Sequence, residues 1–146
     1  HEKPVWMQFL MVALVCDLLE LISGELLYSV LGMRAWDYTD SICHYKGIVS
    51  LEMTVVWGVL GTLFIKFAFP PLNRLFDRIR IERFFVLSVI LAIWMAGDLV
   101  FTSICMVRWS ERHRGIAASG SLDEWIDKTY NDDFMSKRFM EWKFIA

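Results

Sequence analysis

The stretch RAWDYTDSICHYKG at residues 34–47, followed by the apolar run IVSLEMTVVWG at 48–58, decides how this chain is interpreted. It is the one long stretch where polar, aromatic and turn-forming residues crowd together between two hydrophobic segments. Those segments are too long for ordinary strands, which usually have three to ten residues. We therefore interpret residues 34–58 as a folded loop at a membrane surface that leads into a helix.

The composition of the chain indicates a membrane protein. Of its 146 residues, 56% are hydrophobic and 15% are aromatic, more than a soluble domain of this size usually carries. The excess lies in three blocks, over about residues 5–31, 48–69 and 84–109, each long enough for the ~20 helical residues that span a bilayer. The predicted fold class is all-α: a polytopic helical membrane protein with about three transmembrane helices plus interfacial amphipathic helices. Residues 1–109 form its predicted transmembrane domain.

Charge and motifs exclude several other classes of protein. The net charge is -2, and no run of Lys and Arg is long enough to follow a phosphate backbone, so nucleic acid is not an expected partner. The three cysteines fit neither a disulfide framework nor a CxxC metal site. No Ser/His/Asp or Cys/His set is recognisable. We therefore predict no enzyme activity, no metal and no cofactor.

The region after the second block is predicted to form an amphipathic connector at residues 71–80. Pro70 and Pro71 are expected to end the second helix. Apolar residues then recur at helical spacing with basic residues between them, which is typical of a helix that lies in the membrane interface. Because the connector is richer in Lys and Arg than the 34–47 loop, the positive-inside rule predicts that it faces the cytoplasm.

The C-terminal segment, residues 110–146, is predicted to be a polar, membrane-hugging tail with short amphipathic helices. Ser121 and Glu124 have the spacing of a capping box. Asn131 is a candidate N-cap for a last helix.

Four carboxylates lie at membrane depth: Asp17, Glu20 and Glu25 in the first block and Asp98 in the third. At 100° per residue, the three in the first block share one half of the helix. Ionisable groups at this depth are costly unless paired or wetted. They form a candidate site for a proton, a cation or a cationic substrate, with Glu25 the most readily solvated. Alternatively, protonated carboxyls hydrogen-bond across helices and only fasten the bundle.

A stripe of mostly small residues in the second block is predicted to pack closely against another helix. With Gly24 of the first block, the predicted packing residues are Ser50, Thr54, Trp57, Gly58 and Gly61.

The 34–47 loop carries a second candidate site at Trp36, Asp37, Tyr38 and Gly47. The two aromatic residues suit the membrane interface, Asp37 suits a turn, and Gly47 marks the return to the membrane. Two interpretations stay open: a substrate entrance or partner-docking loop, and an aromatic belt with an Asp-capped turn.

Several motifs together resemble a known family. They are Leu19-Glu20 with Gly24, GMRAWDYTD at 32–40, Lys46-Gly47, and Val56-Trp57-Gly58. These are similar to bacterial membrane proteins described as ABC-transporter permeases of the CmpB type, or type IV. The resemblance runs from about Leu19 through the third block, the C-terminal part of that family's domain. It implies a multi-span permease subunit in a bacterial inner membrane.

Two functions remain open at this point. In the first, the chain is an ABC-type permease subunit, and because it contains no GxxxxGK[ST] motif, a separate ATPase subunit docks on the 71–80 connector. In the second, it is a non-transporting scaffold or accessory protein whose acids serve helix packing. The lipid bilayer is the expected partner in both, and a homo-oligomer is left open.

Overall fold

The computed structural model describes residues 3–78 and 81–145 of the chain. Within that part, three helices are long and apolar enough to cross a membrane: Val5–Leu31, Leu51–Arg78 and Phe84–His113. The strands are short and form only two small antiparallel sheets. The predicted fold class is confirmed.

Apolar side chains of the three long helices point outward instead of into a core. Leu14 on the first helix is 66% exposed, and Ile93 and Trp94 on the third are 68% and 69% exposed. Soluble monomers rarely expose continuous apolar surface on this scale. Lipid is the environment that covers it, and the chain is a multi-pass membrane protein.

The first long helix consists of α1, Val5–Leu26, and a π-helical stretch, Leu27–Leu31. Gly32 follows with a φ of 62°, and its N–H donates to the Tyr28 carbonyl oxygen at 3.1 Å. A left-handed residue closes a helix at little cost only when it is glycine. Gly32 therefore ends this helix.

The second long helix runs through the proline pair. It consists of α2, Leu51–Leu63, a π-helical stretch, Phe64–Ala68, and α3, Phe69–Arg78. The prediction that Pro70 and Pro71 end the helix is wrong. Both prolines lie in the first turn of α3, where a missing backbone N–H costs little, and the π-helical stretch widens the helix just before them.

The predicted 71–80 connector is therefore not a separate helix. Its residues up to Arg78 form the end of the second long helix, while residues 79 and 80 lie outside the described part of the chain. Its amphipathic pattern persists, since Leu72, Leu75 and Phe76 alternate with polar residues at helical spacing.

The third long helix, α4, covers Ile81–His113 and is longer than the predicted block at 84–109. The shorter elements of the chain follow it or lie in the loops. They are β1 Met33–Arg34, β2 His44–Tyr45, β3 Val49–Ser50, α5 Ser121–Thr129, α6 Asp132–Arg138 and β4 Lys143–Phe144. Strand β1 pairs with β4, and β2 pairs with β3.

Two caps were predicted for the C-terminal helices, and one is correct. Asn131 is the N-cap of α6, and its Oδ1 accepts the N–H of Phe134 at 2.9 Å. The capping box at Ser121 is wrong, because Gly120 is the N-cap of α5 and no side chain caps it. Instead, Asp123 Oδ2 accepts the Ser119 N–H at 2.9 Å, which lowers the pKa of this carboxyl.

The chain divides into two compact units. The first comprises His1–Leu26 and Trp36–Ile81, and the second comprises Leu27–Ala35 and Glu82–Ala146. This division differs from the predicted boundary at residue 109, because residues 110–146 share a unit with α4.

The C-terminal segment contains the two short helices α5 and α6, as predicted, and it builds a core with the end of α4. Its position at the membrane surface stays a prediction. The core residues are Leu31, Met33, Cys105, Met106, Trp109, Ile126 and Met135. Ile126 and Met33 have no exposed surface. Because apolar residues of α5 and α6 face α4, they are removed from both water and lipid.

Ion pairs hold the same segment to α4; we call them the arginine network, formed by Arg108, Arg112, Asp127 and Asp132. Arg108 Nη2 contacts Asp127 Oδ2 at 2.8 Å, and Arg112 Nη1 contacts Asp127 Oδ1 at 2.6 Å. Arg112 Nε also contacts Asp132 at 2.7 Å. The Arg108 side chain is only 4% exposed, and its bidentate hydrogen bonds hold the pKa of Asp127 below its usual range.

Candidate functional site

The first unit contains a helical hairpin in which α1 and α2 approach closely. A Cβ at Gly58 would collide with the ring of Phe9, and one at Gly61 would collide with Val12. Close approach of this kind lets van der Waals contacts and short polar side chains join membrane helices. The interface brings the acid-bearing face of α1 against the small-residue face of α2.

Glu20 lies at the centre of this interface. Its Oε1 accepts a hydrogen bond from the phenol of Tyr38 at 3.1 Å and another from the indole N–H of Trp57 at 3.0 Å. Trp57 can only donate. One oxygen of Glu20 is therefore held by two neutral donors, one from the loop and one from α2.

The environment of Tyr38 keeps its hydroxyl protonated. Burial, and then the neighbouring Glu20 carboxylate, raise the pKa of Tyr38 to about 12. An acid whose neutral form is favoured keeps its proton over the whole physiological pH range. Tyr38 is therefore a permanent hydrogen-bond donor to Glu20.

Asp17 lies about one helical turn from Glu20 on α1. The hydroxyl of Thr54 is within hydrogen-bond distance of both Asp17 and a backbone carbonyl oxygen. Thr54 Oγ1 is 2.8 Å from Asp17 Oδ2 and 3.0 Å from the carbonyl oxygen of Ser50. A hydroxyl has one hydrogen, so Thr54 donates to only one of them at a time. When it donates to Asp17, that residue is a carboxylate acceptor. When it donates to Ser50, the contact with Asp17 requires a proton on the carboxyl, which becomes the donor.

Both acids have an oxygen that the protein leaves without a partner. Asp17 Oδ1 and Glu20 Oε2 are buried, and neither has a hydrogen-bond partner in the described part of the chain. We call Asp17, Glu20, Tyr38, Thr54 and Trp57 the acid cluster. Its arrangement can accept a proton or a positively charged group at two oxygen atoms.

Glu25 stands apart from the acid cluster. It forms an ion pair with Lys46 of the loop at 2.6 Å, with side chains 35% and 54% exposed. The expectation that Glu25 is the acid most readily solvated stays a prediction. Its pairing with Lys46 was not foreseen.

Asp98 belongs to the second unit and lies on α4 at an exposed position among apolar residues. Its inclusion in one site with the acids of α1 stays a prediction.

The loop candidates are held by hydrogen bonds. Trp36 Nε1 donates to the Ile48 carbonyl oxygen at 2.8 Å, and Asp37 Oδ1 accepts the Thr39 N–H at 3.1 Å, as in an Asx turn. Gly47 has a φ of 70°, and its carbonyl oxygen accepts the Tyr38 N–H at 2.8 Å. These contacts position Tyr38 for its hydrogen bond with Glu20.

The remaining predicted packing residues border the acid cluster. A Cβ at Gly24 would collide with Ile48, and the buried Ser50 caps α2 by accepting the Met53 N–H. The sequence analysis assigned Thr54 and Trp57 to helix packing and Tyr38 to the loop. In the structure, the side chains of all three form hydrogen bonds with Asp17 or Glu20. Among the described residues, no group of three or more His, Cys, Asp or Glu side chains is placed to hold a metal ion.

Comparison with known proteins agrees with the resemblance of the sequence motifs. A family model described as "Putative ABC-transporter type IV" matches residues 1–103, which include the acid cluster, the loop and Asp98. No curated protein and no solved structure matches the chain. The family match covers well over half of the 146 residues. The chain therefore belongs to the ABC-transporter type IV family.

Proposed function

We propose that this chain is a permease subunit of an ABC-type transporter in a bacterial inner membrane, and that its acid cluster handles a proton, a cation or a cationic substrate. One observation carries the proposal: Asp17 Oδ1 and Glu20 Oε2 are buried and lack partners in the described part of the chain. In a structure built only for packing, each such oxygen is a cost.

The size of that cost explains why a ligand is expected. A buried acceptor without a partner costs about 1–3 kcal/mol, and more when it is charged. A proton on either carboxyl, or a cation between the two helices, lowers this cost. The neutral donors Tyr38, Thr54 and Trp57 fix the other oxygen of each acid without neutralising its charge. The acids therefore stay responsive to a ligand.

Energy for transport would come from another chain. This sequence contains no phosphate-binding GxxxxGK[ST] loop. We propose that a separate ATPase subunit docks on α3, where Leu72, Leu75 and Phe76 are exposed at the end of the second long helix. The family name supports an ABC-type partner.

The acid cluster is tested by neutral substitutions in the protein expressed in bacterial membranes. Asp17→Asn and Glu20→Gln are expected to abolish transport or transport-dependent growth while leaving membrane levels unchanged. Glu25→Gln is the matched control, because Glu25 lies on the same helix but outside the acid cluster. Transport that survives in both Asp17→Asn and Glu20→Gln would contradict the role of these acids.

The ATPase partner is tested by purification in mild detergent. An ATPase containing a phosphate-binding loop is expected to co-purify with the protein. Leu75→Glu should remove it, whereas Asn73→Glu, which adds the same charge to a polar position of α3, should not. Recovery of the protein without any ATPase would contradict the permease assignment.

A specific observation also favours the second candidate, a non-transporting scaffold. The hydrogen bonds of the acid cluster join α1 to α2 and to the loop, so they also fasten the hairpin. In that case, Asp17→Asn and Glu20→Gln should lower the amount of folded protein in the membrane. Where a variant protein still reaches its normal membrane level, it should show no transport phenotype.

A further inference from the structure

A groove of about 660 Å³ lies in the first unit, away from the acid cluster. It runs between the N-terminal half of α1 and the π-helical stretch that leads into α3. Met11, Val15, Ile65 and Phe69 line its apolar wall. A long, apolar groove on the lipid-facing side of two membrane helices has the shape and chemistry to hold an acyl chain.

Two lysines give this groove a positive charge. Lys3 and Lys66 both line it, and both are exposed. Lys3 lies over the groove wall, with its Nζ 3.5 Å from Met11 Sδ. A thioether is only a weak acceptor, so this contact does not satisfy the ammonium group. The rim is suited to a phosphate group.

Gln8 adds a hydrogen-bond acceptor to the same groove. Its Nε2 donates to the Lys3 carbonyl oxygen at 2.7 Å, which fixes the orientation of the amide because a carbonyl can only accept. Its Oε1 is buried and has no partner in the part of the chain that the structure describes. The groove is therefore lined by two cations and by a glutamine whose buried amide oxygen lacks a donor among the described residues.

We propose that this groove binds a phospholipid with an anionic, hydroxyl-bearing headgroup. The phosphate lies between Lys3 and Lys66, one acyl chain covers Met11, Val15 and Phe69, and a headgroup hydroxyl donates to Gln8. Charge complementarity selects this lipid over a zwitterionic one, whose ammonium group meets the two lysines unfavourably. The inference needs only an embedded hairpin and is independent of the transport proposal.

The charge part of the inference is tested by native mass spectrometry of the full chain in detergent with phosphatidylglycerol or phosphatidylcholine. Phosphatidylglycerol is expected to be retained in preference. Lys66→Gln and Lys3→Gln should each weaken its binding about fivefold, the effect of one basic residue near anionic lipid. Lys128→Gln, the same change at an exposed lysine of α5, should leave binding unchanged.

The shape part is tested by filling the groove. Val15→Trp places an indole on the groove wall and should reduce phosphatidylglycerol retention. Leu19→Trp adds the same side chain to an exposed position of α1 that does not line the groove, and should have no effect. Equal retention of the two lipids, or equal weakening by Lys128→Gln and Lys66→Gln, would overturn the proposal and leave the groove as ordinary lipid-facing surface.

Discussion

The arginine network of the second unit pairs every charge it contains with an opposite charge, whereas the acids of the acid cluster in the first unit meet neutral donors. Arg108 and Arg112 contact Asp127, and Arg112 also contacts Asp132. In the first unit, Glu20 is held by a phenol and an indole. Both clusters join a long helix to another segment, but among the residues that the structure describes, only the acid cluster has buried carboxyl oxygens without partners.

This difference distinguishes a structural use of charge from the responsive use that we propose for the acid cluster. In the arginine network, hydrogen bonds from Arg108 lower the pKa of Asp127, so the ionised state is fixed over the physiological pH range. In the acid cluster, the hydroxyl of Thr54 can form a hydrogen bond with Asp17 whether or not the Asp17 carboxyl carries a proton. A cluster that accepts two protonation states suits a function that involves a proton or cation.

The largest expected effect comes from breaking the arginine network. Arg108→Gln removes a nearly buried guanidinium and should destabilise the second unit by about 3 kcal/mol, the lower end of the range for breaking a buried pair, because Asp127 keeps Arg112. The measurement is hydrogen exchange of α5 and α6 in detergent. Arg114→Gln, at an exposed arginine just beyond the end of α4, should leave the exchange unchanged.

Acid should weaken the same network to a lesser extent. Because the pKa of Asp127 is lowered in the folded state, its contribution is fully present above the ordinary Asp pKa of about 3.9 and is lost as the pH falls from there through the lowered value. Near-ultraviolet circular dichroism across this range should show loss of the aromatic signal of the second unit. An Arg108→Gln variant should show a smaller pH dependence, and an unchanged one would contradict the assignment.

Close packing at the acid cluster should give the next effect. Gly58→Ala places a methyl group against the Phe9 ring and should destabilise the hairpin by about 1–3 kcal/mol, the usual cost of overpacking. Thermal unfolding in detergent measures this. Gly97→Ala on α4 is the matched control, since a Cβ there meets nothing within 4 Å. Equal loss in both variants would show that helix packing at Gly58 is loose.

Removing one donor from Glu20 should cost less. Trp57→Phe deletes the indole N–H and should destabilise the hairpin by about 1 kcal/mol, since Tyr38 still donates to the same oxygen. Trp6→Phe, at a 62% exposed position of α1, is the control. Thermal unfolding in detergent measures both variants, and an equal loss in the two would contradict the role of the Trp57–Glu20 hydrogen bond.

The smallest effect is expected at the ion pair outside the cluster. Lys46→Gln breaks the exposed pair with Glu25 and should change stability by about 0.5 kcal/mol at most. Comparison of its unfolding temperature with that of Trp57→Phe ranks the two contacts. A larger loss for Lys46→Gln would mean that the loop, and not the buried donors, holds the hairpin.

Much of the fold could be predicted from the sequence because membrane spans leave a strong apolar signal. The three long helices follow from length and hydrophobicity, and the shared face of Asp17, Glu20 and Glu25 follows from helical geometry alone. The helix end at Gly32 was also predictable, since a glycine after an apolar helix marks a left-handed cap.

The composition of the acid cluster was harder to predict, because it depends on how two helices pair. Asp17 and Thr54 lie nearly equally far from Trp36 along the chain, as do Val12 and Gly61. An antiparallel hairpin about this loop brings each pair together, so counting outward from Trp36 could have placed Thr54 beside Asp17. Tyr38 is directed toward Glu20 by hydrogen bonds within the loop, and the spacing of residues in the sequence does not reveal such bonds.

The helix through the prolines and the core of the C-terminal segment escaped prediction for different reasons. A proline pair usually ends a helix, and only the π-helical stretch before it lets this helix continue to Arg78. The C-terminal segment has a polar composition, which hides its few core residues. The partners Arg108 of α4 and Asp127 of α5 lie 19 residues apart, so no local sequence pattern shows their pairing.

The measurement that tests the central claim most directly is infrared difference spectroscopy of the purified protein as an organic cation is added and then removed. The account predicts a reversible shift of a carboxyl band that is lost in Asp17→Asn or Glu20→Gln and persists in Glu25→Gln. A spectrum in which neither acid responds to the cation would contradict the account and leave the acid cluster as a packing element.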